Sequence, residues 1–367
     1  MNTLHIADIL TLGLKEYQQH YKLSYQQIRV CQHLQSCRTG QLGYQAWQCD
    51  KCGELKQIGC SCRDRHCPRC QSMATANWVK KQQENLLPCR YFHLVFTLPH
   101  ELNIIAHYNS SVLYDCLFKA AWSTLSQFAK RKGHGQLGMT SVLHTWGQNL
   151  SQHIHLHCLV PGGGLTQTQW HSIKKGYLYP VKALSAVFRG KMLAALNECD
   201  GALAQIHTPK KWCVYSKPCL TYSDKLVSYL ARYTRKGVIS ESRLVSANEQ
   251  TVCFKYRDYG DHHREKSMTL SCREFLRRYL QHVLPKGFMR IRHYGFLANA
   301  CRKRKLALIK AQEQLLCKVP AKTTETELTT AHWPCEICKV GVLRFIGLVN
   351  AIEQRIELEP MDSTRTS

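Results

Sequence analysis

Three histidines, His153, His155 and His157, alternate with apolar residues in the segment Gln152–Val160. Successive side chains of a β-strand point to opposite faces, so we expect the three imidazoles on one face and their apolar neighbours in the core. One such histidine is ordinary, but burying three without partners would cost about 1–3 kcal/mol each. The segment therefore predicts a metal site, although the spacing alone does not choose the metal.

Two tyrosines, Tyr229 and Tyr233, lie four residues apart in the segment 223–236, which is typical of a helix and ends before Gly237. Residues at this spacing share one helix face. The pair alone suits packing on a sheet, because tyrosine is common in cores. Beside a cation, however, a phenol becomes a useful nucleophile towards phosphate. A histidine-bound cation and two tyrosines in a basic chain indicate cleavage of DNA through a phosphotyrosine.

Cysteines form the third reactive group, because eight of the 20 lie between Cys31 and Cys70. The pairs Cys49/Cys52 and Cys67/Cys70 each present two thiolates from a tight turn, and we expect the four to hold one structural zinc ion. In a chain of this length we expect reduced thiols rather than a disulfide scaffold. The remaining cysteines and histidines of this region are enough for a second zinc, but their spacing does not show which of them would bind it. They are Cys31, His33, Cys37, Cys60, Cys62 and His66.

One more pair, Cys335 and Cys338, follows the polar stretch 322–330. Its two cysteines have the spacing of half a zinc site, but no second pair follows them. The pair either borrows ligands from elsewhere in the fold, such as His332, or is vestigial. We favour the vestigial interpretation.

The composition points to nucleic acid. The 367 residues include 50 Lys and Arg against 25 Asp and Glu, a formal charge of +25, which suits a polyanionic partner. A hydrophobic content of 44% indicates a globular chain. No apolar run approaches the roughly 18 residues of a membrane span, and the start does not read as a signal peptide, so we expect a cytoplasmic protein without a membrane partner. Basic residues interleave the zinc ligands and are expected to face DNA: Arg38, Lys51, Arg63, Arg65 and Arg69.

The elements that position these groups predict an α+β fold. A strand is expected over 90–98, a core helix pair over 102–130, and a hairpin of strands 140–146 and 153–160 joined by 147–149. We divide the chain into an N-terminal helical and zinc-binding module (1–88), a catalytic domain (89–310) and a C-terminal tail (311–367).

Taken together, the motifs resemble the two-tyrosine HUH transposases of rolling-circle insertion sequences, in which HUH denotes His, a hydrophobic residue, His. The resemblance extends over most of the residues from about 20 to 310 and follows the order of the family. It is carried by Cys37 to Thr39, Cys62 to Gln71, Tyr91 to Pro99, His153 to Gly164, Tyr229 to Tyr233, Leu284 to Phe288 and Ile291 to Gly295.

The resemblance implies an antiparallel-sheet HUH nuclease domain with packed helices, preceded by a small zinc-binding module. His155 and His157 would bind Mg²⁺ or Mn²⁺, with His153 or Gln152 as our choice of third ligand. The two tyrosines would be the nucleophiles that cut and rejoin single-stranded DNA at insertion-sequence ends. No small-molecule substrate is implied, and self-association stays open. Candidate phosphate contacts are Arg232, Arg235, Lys236, Arg302, Lys303, Arg304 and Lys305.

The chain departs from the family pattern in three places, one of which is that fewer glycines follow the Cys335 pair than the resemblance leads us to expect. Ile154 stands between the first two histidines, where the family commonly has proline. Gln45 replaces a histidine that often precedes the first cysteine pair, which leaves Cys60 as an alternative ligand.

Two other functions remain open from the sequence. One is a rolling-circle replication initiator or relaxase with the same chemistry, and the other is a non-catalytic, zinc-dependent DNA-binding protein.

Overall fold

A computed structural model describes residues 3–173, 178–219, 237–316, 333–350 and 356–358. The α-helices of these residues are α1 (Ile6–His20), α2 (Tyr25–Ser36), α3 (Pro68–Gln83), α4 (Asn103–Arg131), α5 (Val181–Cys199), α6 (Gly201–Ala204), α7 (Cys272–Leu280) and α8 (Arg302–Leu316). The strands are β1 (Tyr44–Cys49), β2 (Leu55–Gly59), β3 (Tyr91–Thr97), β4 (Gly138–Trp146), β5 (Gln152–Pro161), β6 (Gly163–Thr166), β7 (Gln169–Ser172), β8 (Val214–Cys219), β9 (Leu244–Ala247), β10 (Thr251–Asp258), β11 (Arg264–Ser271), β12 (Ile291–Gly295), β13 (Trp333–Pro334), β14 (Val342–Val349) and β15 (Ile356–Leu358). This mixture of helices and antiparallel sheets confirms the α+β prediction.

The predicted histidine strand lies at the centre of a five-stranded sheet in the order β12-β4-β5-β3-β8, called here the histidine sheet. All neighbours in it are antiparallel, and β4 and β5 form the expected hairpin. Ile154, Leu156 and Cys158 of β5 are buried, whereas the histidines between them lie on the opposite face. The alternation expected from the sequence is therefore confirmed.

Helices α4 and α5 pack against each other, and their buried side chains share one core cluster with the apolar face of the histidine sheet. Phe92 and Phe96 of β3 meet the helices there, and the Phe96 ring lies 4.9 Å from that of Phe188. The expected helix pair is one segment, α4, which is kinked where Asn109 leaves helical geometry (φ −144°, ψ 66°). None of the helices in the described ranges has the length and apolar content that a bilayer crossing needs.

A second core joins distant parts of the sequence. Helices α1 and α2 pack with α7 and with the sheet of β9, β10 and β11. The buried Tyr279 of α7 donates a hydrogen bond to the carbonyl of His66 at 2.9 Å. Residues 238–280 thus share a core with the N-terminal helices. The boundaries at 88 and 310 stay a prediction.

A third sheet, called here the terminal sheet, is built from both ends of the chain in the order β13-β14-β1-β2, with β15 beside β14. Strand β1 pairs antiparallel with β14, which places Trp47 opposite Phe345 and Cys49 opposite Leu343. The described part of the segment that we expected to be a tail therefore completes a sheet of the N-terminal module.

Candidate metal centres and nucleic-acid interface

Three imidazoles converge on the face of the histidine sheet opposite α4 and α5. The register of the hairpin places His144 of β4 opposite His155 of β5. The candidate ligand atoms of His144, His155 and His157 all lie within 4.8 Å of one another, and the Nε2 atoms of His155 and His157 are 3.1 Å apart. A cation with bonds of about 2.1 Å separates adjacent octahedral ligands by about 3.0 Å. The cluster, called here the histidine triad, therefore fits one cation.

The third member of the triad differs from our expectation, because the structure places His144, rather than His153 or Gln152, with His155 and His157. His153 is exposed; its backbone carbonyl accepts a hydrogen bond from His155 Nδ1 at 2.8 Å, and its ring lies 4.8 Å from the His155 ring but outside the group of converging ligand atoms. Directly opposite residues on antiparallel strands have Cβ atoms only about 4.5–5.5 Å apart. His144 therefore reaches both histidines, with its ring centroid 5.3 Å from that of His155 and 4.6 Å from that of His157. Sequence reasoning missed His144 because strand register is not a local property.

Hydrogen bonds orient the two ring nitrogens of each strand histidine. His155 donates from Nδ1 to the backbone, which leaves the lone pair of Nε2 for a metal. Nδ1 of His157 lies 2.9 Å from Nε2 of His93, a buried residue of β3 that we had not singled out. Burial lowers the pKa of His155 to about 4 and that of His157 to about 2, helped in each case by a neighbouring histidine. Both rings are therefore neutral near pH 7, as metal ligands must be.

The first cysteine cluster joins Cys37, Cys62, Cys67 and Cys70. Its sulfur atoms are 3.6 Å apart for Cys37 and Cys70, 3.6 Å for Cys62 and Cys70, and 3.7 Å for Cys37 and Cys67. Tetrahedral zinc with Zn–S bonds of about 2.3 Å separates its sulfurs by about 3.8 Å. The cluster therefore has the chemistry and spacing of a structural zinc site.

The structure groups the cysteines differently from our expectation. The Cys67/Cys70 pair takes its partners from Cys37 and Cys62, whereas Cys49 and Cys52 lie with the pair near the C-terminus. The reason is that Cys67 caps α3 beside the end of α2, whereas Cys49 ends β1 next to β14. A spacing of fifteen residues permits a shared ion but does not require one.

The C-terminal pair, Cys335 and Cys338, which we expected to be vestigial, lies beside another pair of cysteines. Its two thiols complete the group of Cys49 and Cys52. The alternative partner that we considered, His332, lies outside the described residues.

The remaining predicted zinc ligands have other partners. Nδ1 of His33 and Nδ1 of His66 each lie 3.0 Å from a carboxylate oxygen of Asp64, and His66 Nε2 accepts a hydrogen bond from the Leu284 amide at 3.1 Å. His33 and His66 thus share Asp64 within the module, and His66 also joins the module to the segment after α7. Cys31 and Cys60 also lie outside both cysteine groups, and burial raises the pKa of the Cys31 thiol to about 12.

Comparison with known proteins finds related families and relatives of the chain. Residues 9–98 match a family profile described as "Transposase zinc-binding domain", and residues 138–305 match one described as "Putative transposase". "Putative transposase y4qJ" of Sinorhizobium fredii (strain NBRC 101917 / NGR234) is 42% identical over 341 residues, 86% of this chain and 85% of that protein. The chain belongs to the transposase family of IS91-type insertion sequences. "Transposase for insertion sequence element IS801" of Pseudomonas savastanoi pv. phaseolicola is 32% identical to this transposase over 283 residues, 72% of this chain and 68% of that protein. No solved structure gives a significant match.

The family confirms the resemblance carried by the motifs, and it implies that the transposase binds zinc and acts on DNA. Tyr229 and Tyr233, with the neighbouring Arg232, Arg235 and Lys236, lie outside the described residues. Their roles stay a prediction. The described chain leads into this segment from β8, an edge strand of the histidine sheet.

The predicted DNA-binding residues of the zinc module divide into two kinds. Arg65 donates to the backbone carbonyls of Pro285 and Phe288, and Arg69 donates to that of Cys37. Arg65 therefore joins the module to the segment after α7, and Arg69 makes a contact within the module, whereas Arg38 and Arg63 are exposed. In α8, Lys303 and Arg304 are exposed, Arg302 and Lys305 are half-buried, and Lys305 donates to a Gln136 side chain.

A cavity of about 430 Å³ lies beside the first cysteine cluster and brings in two basic side chains, Arg29 and Lys286, that sequence reasoning missed. Its lining includes Arg29, Arg63, Arg65 and Lys286. Arg29 and Lys286 are far apart in sequence, and packing of the second core brings them close together. The cavity is therefore a candidate contact for DNA phosphate.

Proposed function

We propose that this transposase nicks and rejoins single-stranded DNA at insertion-sequence ends by metal-dependent transesterification, through a covalent 5′-phosphotyrosine. The observation that carries the proposal is the histidine triad. Three imidazoles face one another on a sheet whose other face is an apolar core, and the ordinary structural explanation of a single buried histidine does not account for them.

The triad suits a divalent cation because it offers three nitrogen donors and because His155 and His157 are unprotonated near pH 7. His144, His155 and His157 would hold Mg²⁺ or Mn²⁺, and both cations accept water and phosphate oxygens at their remaining positions. When bound, such a cation supplies Lewis-acid polarisation of the scissile phosphate. Nitrogen donors suit transition metals better than Mg²⁺, so we propose that Mn²⁺ binds more tightly of the two.

Tyr229 or Tyr233 is the proposed nucleophile. Its phenolic oxygen bonds to phosphorus while the bond from phosphorus to the 3′ oxygen breaks. One proton passes, in sum, from the phenol to the departing 3′ oxygen, and neither water nor ATP is consumed. Because the phosphotyrosine keeps a phosphodiester bond, attack by a 3′-hydroxyl reverses the step and joins strands. A second tyrosine allows a second cleavage while the first strand remains attached.

Basic groups near the triad would position the DNA. Arg290 stacks over the Trp146 ring at 4.9 Å, and its charge contributes to the lowered pKa of His157. On the same sheet face, Tyr215 and Lys217 of β8 are exposed. These side chains are suited to contact backbone phosphates and bases beside the scissile bond. We place this activity in the cytoplasm, on nucleoid DNA.

The test is a covalent-adduct assay with labelled single-stranded insertion-sequence ends and Mn²⁺ or Mg²⁺. We expect a protein–DNA adduct that survives denaturing electrophoresis and disappears when Tyr229 and Tyr233 are both changed to Phe. Tyr108→Phe is the matched control, because Tyr108 is 79% exposed and lies in α4, outside the histidine sheet. An adduct that persists in the double variant overturns the assignment.

A further inference from the structure

We propose that Cys49, Cys52, Cys335 and Cys338 form a second zinc site, which clasps the two ends of the chain together. We call this group the terminal clasp. It lies outside the catalytic centre, and its proposed role does not depend on the DNA-cleaving chemistry. Its first half falls within the zinc-binding family match at residues 9–98, but its second half lies beyond both matched segments.

The sulfur geometry fits four thiolates around one ion. Sγ of Cys49 lies 3.7 Å from that of Cys338, and Sγ of Cys52 lies 3.7 Å from that of Cys335. These separations are close to the roughly 3.8 Å expected for a tetrahedral Zn–S₄ centre. They are far from the disulfide bond length of about 2.05 Å.

Backbone geometry shapes both halves of the clasp for thiolates. The amides of Lys51 and Cys52 point at Cys49 Sγ from 3.4 and 3.5 Å, and the amide of Gly341 donates to Cys338 Sγ at 3.2 Å. Donation from an amide stabilises the charged form of a sulfur ligand. Gly341 has no room for a side chain, since an added Cβ would lie 2.3 Å from Cys49 Sγ. The two turns are thus packed closely around the sulfurs.

Among its described residues, the terminal sheet has a small core. In β1, β2, β13 and β14 the buried side chains are those of Ala46, Cys49, Leu343 and Val349. The ion pair of Lys56 with Glu336 is exposed, and the one of Asp50 with Arg344 joins a carboxylate to a largely exposed guanidinium. Such pairs contribute at most about 1 kcal/mol each. A core this small needs an additional crosslink, and a metal supplies one.

Basic side chains near the terminal clasp suit the negative charge of a zinc–thiolate centre. Four thiolates and one Zn²⁺ carry a net charge of about −2. Cationic side chains follow the ligands closely in sequence or lie on the paired strands: Lys51, Lys56, Lys339 and Arg344. On one side the rings of Trp47 and Trp333 stack with their centroids 4.9 Å apart, and Trp47 packs against the cysteine cluster.

The terminal clasp is the more accessible of the two cysteine groups. Cys52 is exposed and Cys338 is half-buried, whereas no member of the first cluster is exposed. A chelator therefore reaches the clasp first. The two zinc ions should leave at different rates, and release of the first should free β14 from β1.

The primary test measures zinc in the purified full chain by mass spectrometry. We expect two zinc ions per chain for the wild type and one for the Cys335→Ser/Cys338→Ser variant. Cys213→Ser/Cys253→Ser is the matched control, because these cysteines lie outside both groups, and it should retain two. Cobalt substitution adds a spectroscopic check, since thiolate–cobalt absorption should halve in the first variant and stay unchanged in the control.

A second measurement separates clasping from mere metal binding. Hydrogen exchange should show the β14 amides protected in the wild type and unprotected after the first zinc is removed, while α4 stays protected in both. One zinc in the wild type, or two in the Cys335/Cys338 variant, overturns the site. Protection of β14 that survives loss of the clasp zinc overturns its role. Neither result bears on the adduct assay, so the two proposals fail independently.

Discussion

Nε2 of His93 lies 2.9 Å from Nδ1 of His157, so that two neighbouring strands of the histidine sheet meet through a pair of imidazoles. If Nε2 of His157 binds a cation, its Nδ1 carries the proton and donates it to His93. Burial lowers the pKa of His93 to about 4, which keeps that acceptor nitrogen unprotonated near neutral pH. His93 therefore fixes both the tautomer and the rotation of His157.

We predict that His93→Ala weakens Mn²⁺ binding by about 10–100-fold, the usual cost of losing a partner of a metal ligand. His93→Gln should recover part of the loss, because its carbonyl oxygen can accept the same proton. Titration calorimetry with Mn²⁺ measures both variants. His100→Ala, at an exposed site, is the control. Unchanged affinity in His93→Ala would remove His93 from the site.

The third ligand can be tested by comparing two single variants. His144→Ala should abolish measurable Mn²⁺ binding and adduct formation, because it removes one of three proposed ligands. His153→Ala should change both by less than about threefold, because its ring lies outside the group of converging ligand atoms and the variant keeps the backbone carbonyl that binds His155. Electron paramagnetic resonance of bound Mn²⁺ gives the comparison. The reverse ranking would restore our original choice of His153.

Protein stability should fall in mild acid because of His282, which is 2% exposed. Its Nε2 donates to the Leu150 carbonyl and its Nδ1 accepts from the Thr145 hydroxyl, each at 3.1 Å. Burial lowers the folded-state pKa of His282 to about 4, against an unfolded value of about 6.5. The unfolded chain therefore binds a proton first as the pH falls. The contribution of the neutral ring, up to about 3 kcal/mol, is complete above pH 6.5 and is lost towards pH 4.

His282→Gln should therefore reduce the loss of unfolding free energy between pH 6.5 and pH 4, measured by urea denaturation. His171→Gln, at an exposed position, should leave the pH dependence as it is in the wild type. An identical pH slope in the His282 variant and the wild type would show that this ring is not the group responsible.

The cavity beside the first cysteine cluster should contribute to DNA binding through charge. Arg63→Gln and Lys286→Gln are each expected to weaken binding of single-stranded DNA and to reduce the salt slope of log K by about 0.7, as loss of one phosphate contact does. Fluorescence anisotropy over a salt series measures the slope. Lys182→Gln, on α5 behind the histidine sheet, should have no effect. Equal slopes in all variants would exclude the cavity as a DNA contact.

Features set by local pattern were predictable from the sequence. The β4–β5 hairpin and the outward face of His155 and His157 follow from alternation and from the turn at 147–149. A strand with alternating burial keeps this pattern whatever its neighbours are. The strand over 90–98 was predictable from its β-branched and aromatic residues and from Pro99 at its end, although the pairing of His93 with His157 was not.

Features set by register and by long-range pairing were not predictable. His144 joins the triad only because β4 pairs with β5 in one register. Cys52 meets Cys335 across 283 residues, and nothing in a CxxC turn specifies which other turn will share its ion. Cys67 illustrates the difficulty, since its expected partners Cys49 and Cys52 are nearer in sequence than Cys37 but lie at the terminal sheet, whereas Cys67 caps α3.

The β1–β14 pairing also orders events during protein synthesis. At about 5–20 residues per second, roughly 15–60 s separate the emergence of Cys52 from that of Cys335. Throughout that interval the edge of β1 lacks its partner strand, and an unpaired edge is a template for aggregation. A ribosome that stalls before codon 335 leaves a chain with the histidine triad translated, an open sheet edge and two thiolates without their counterparts.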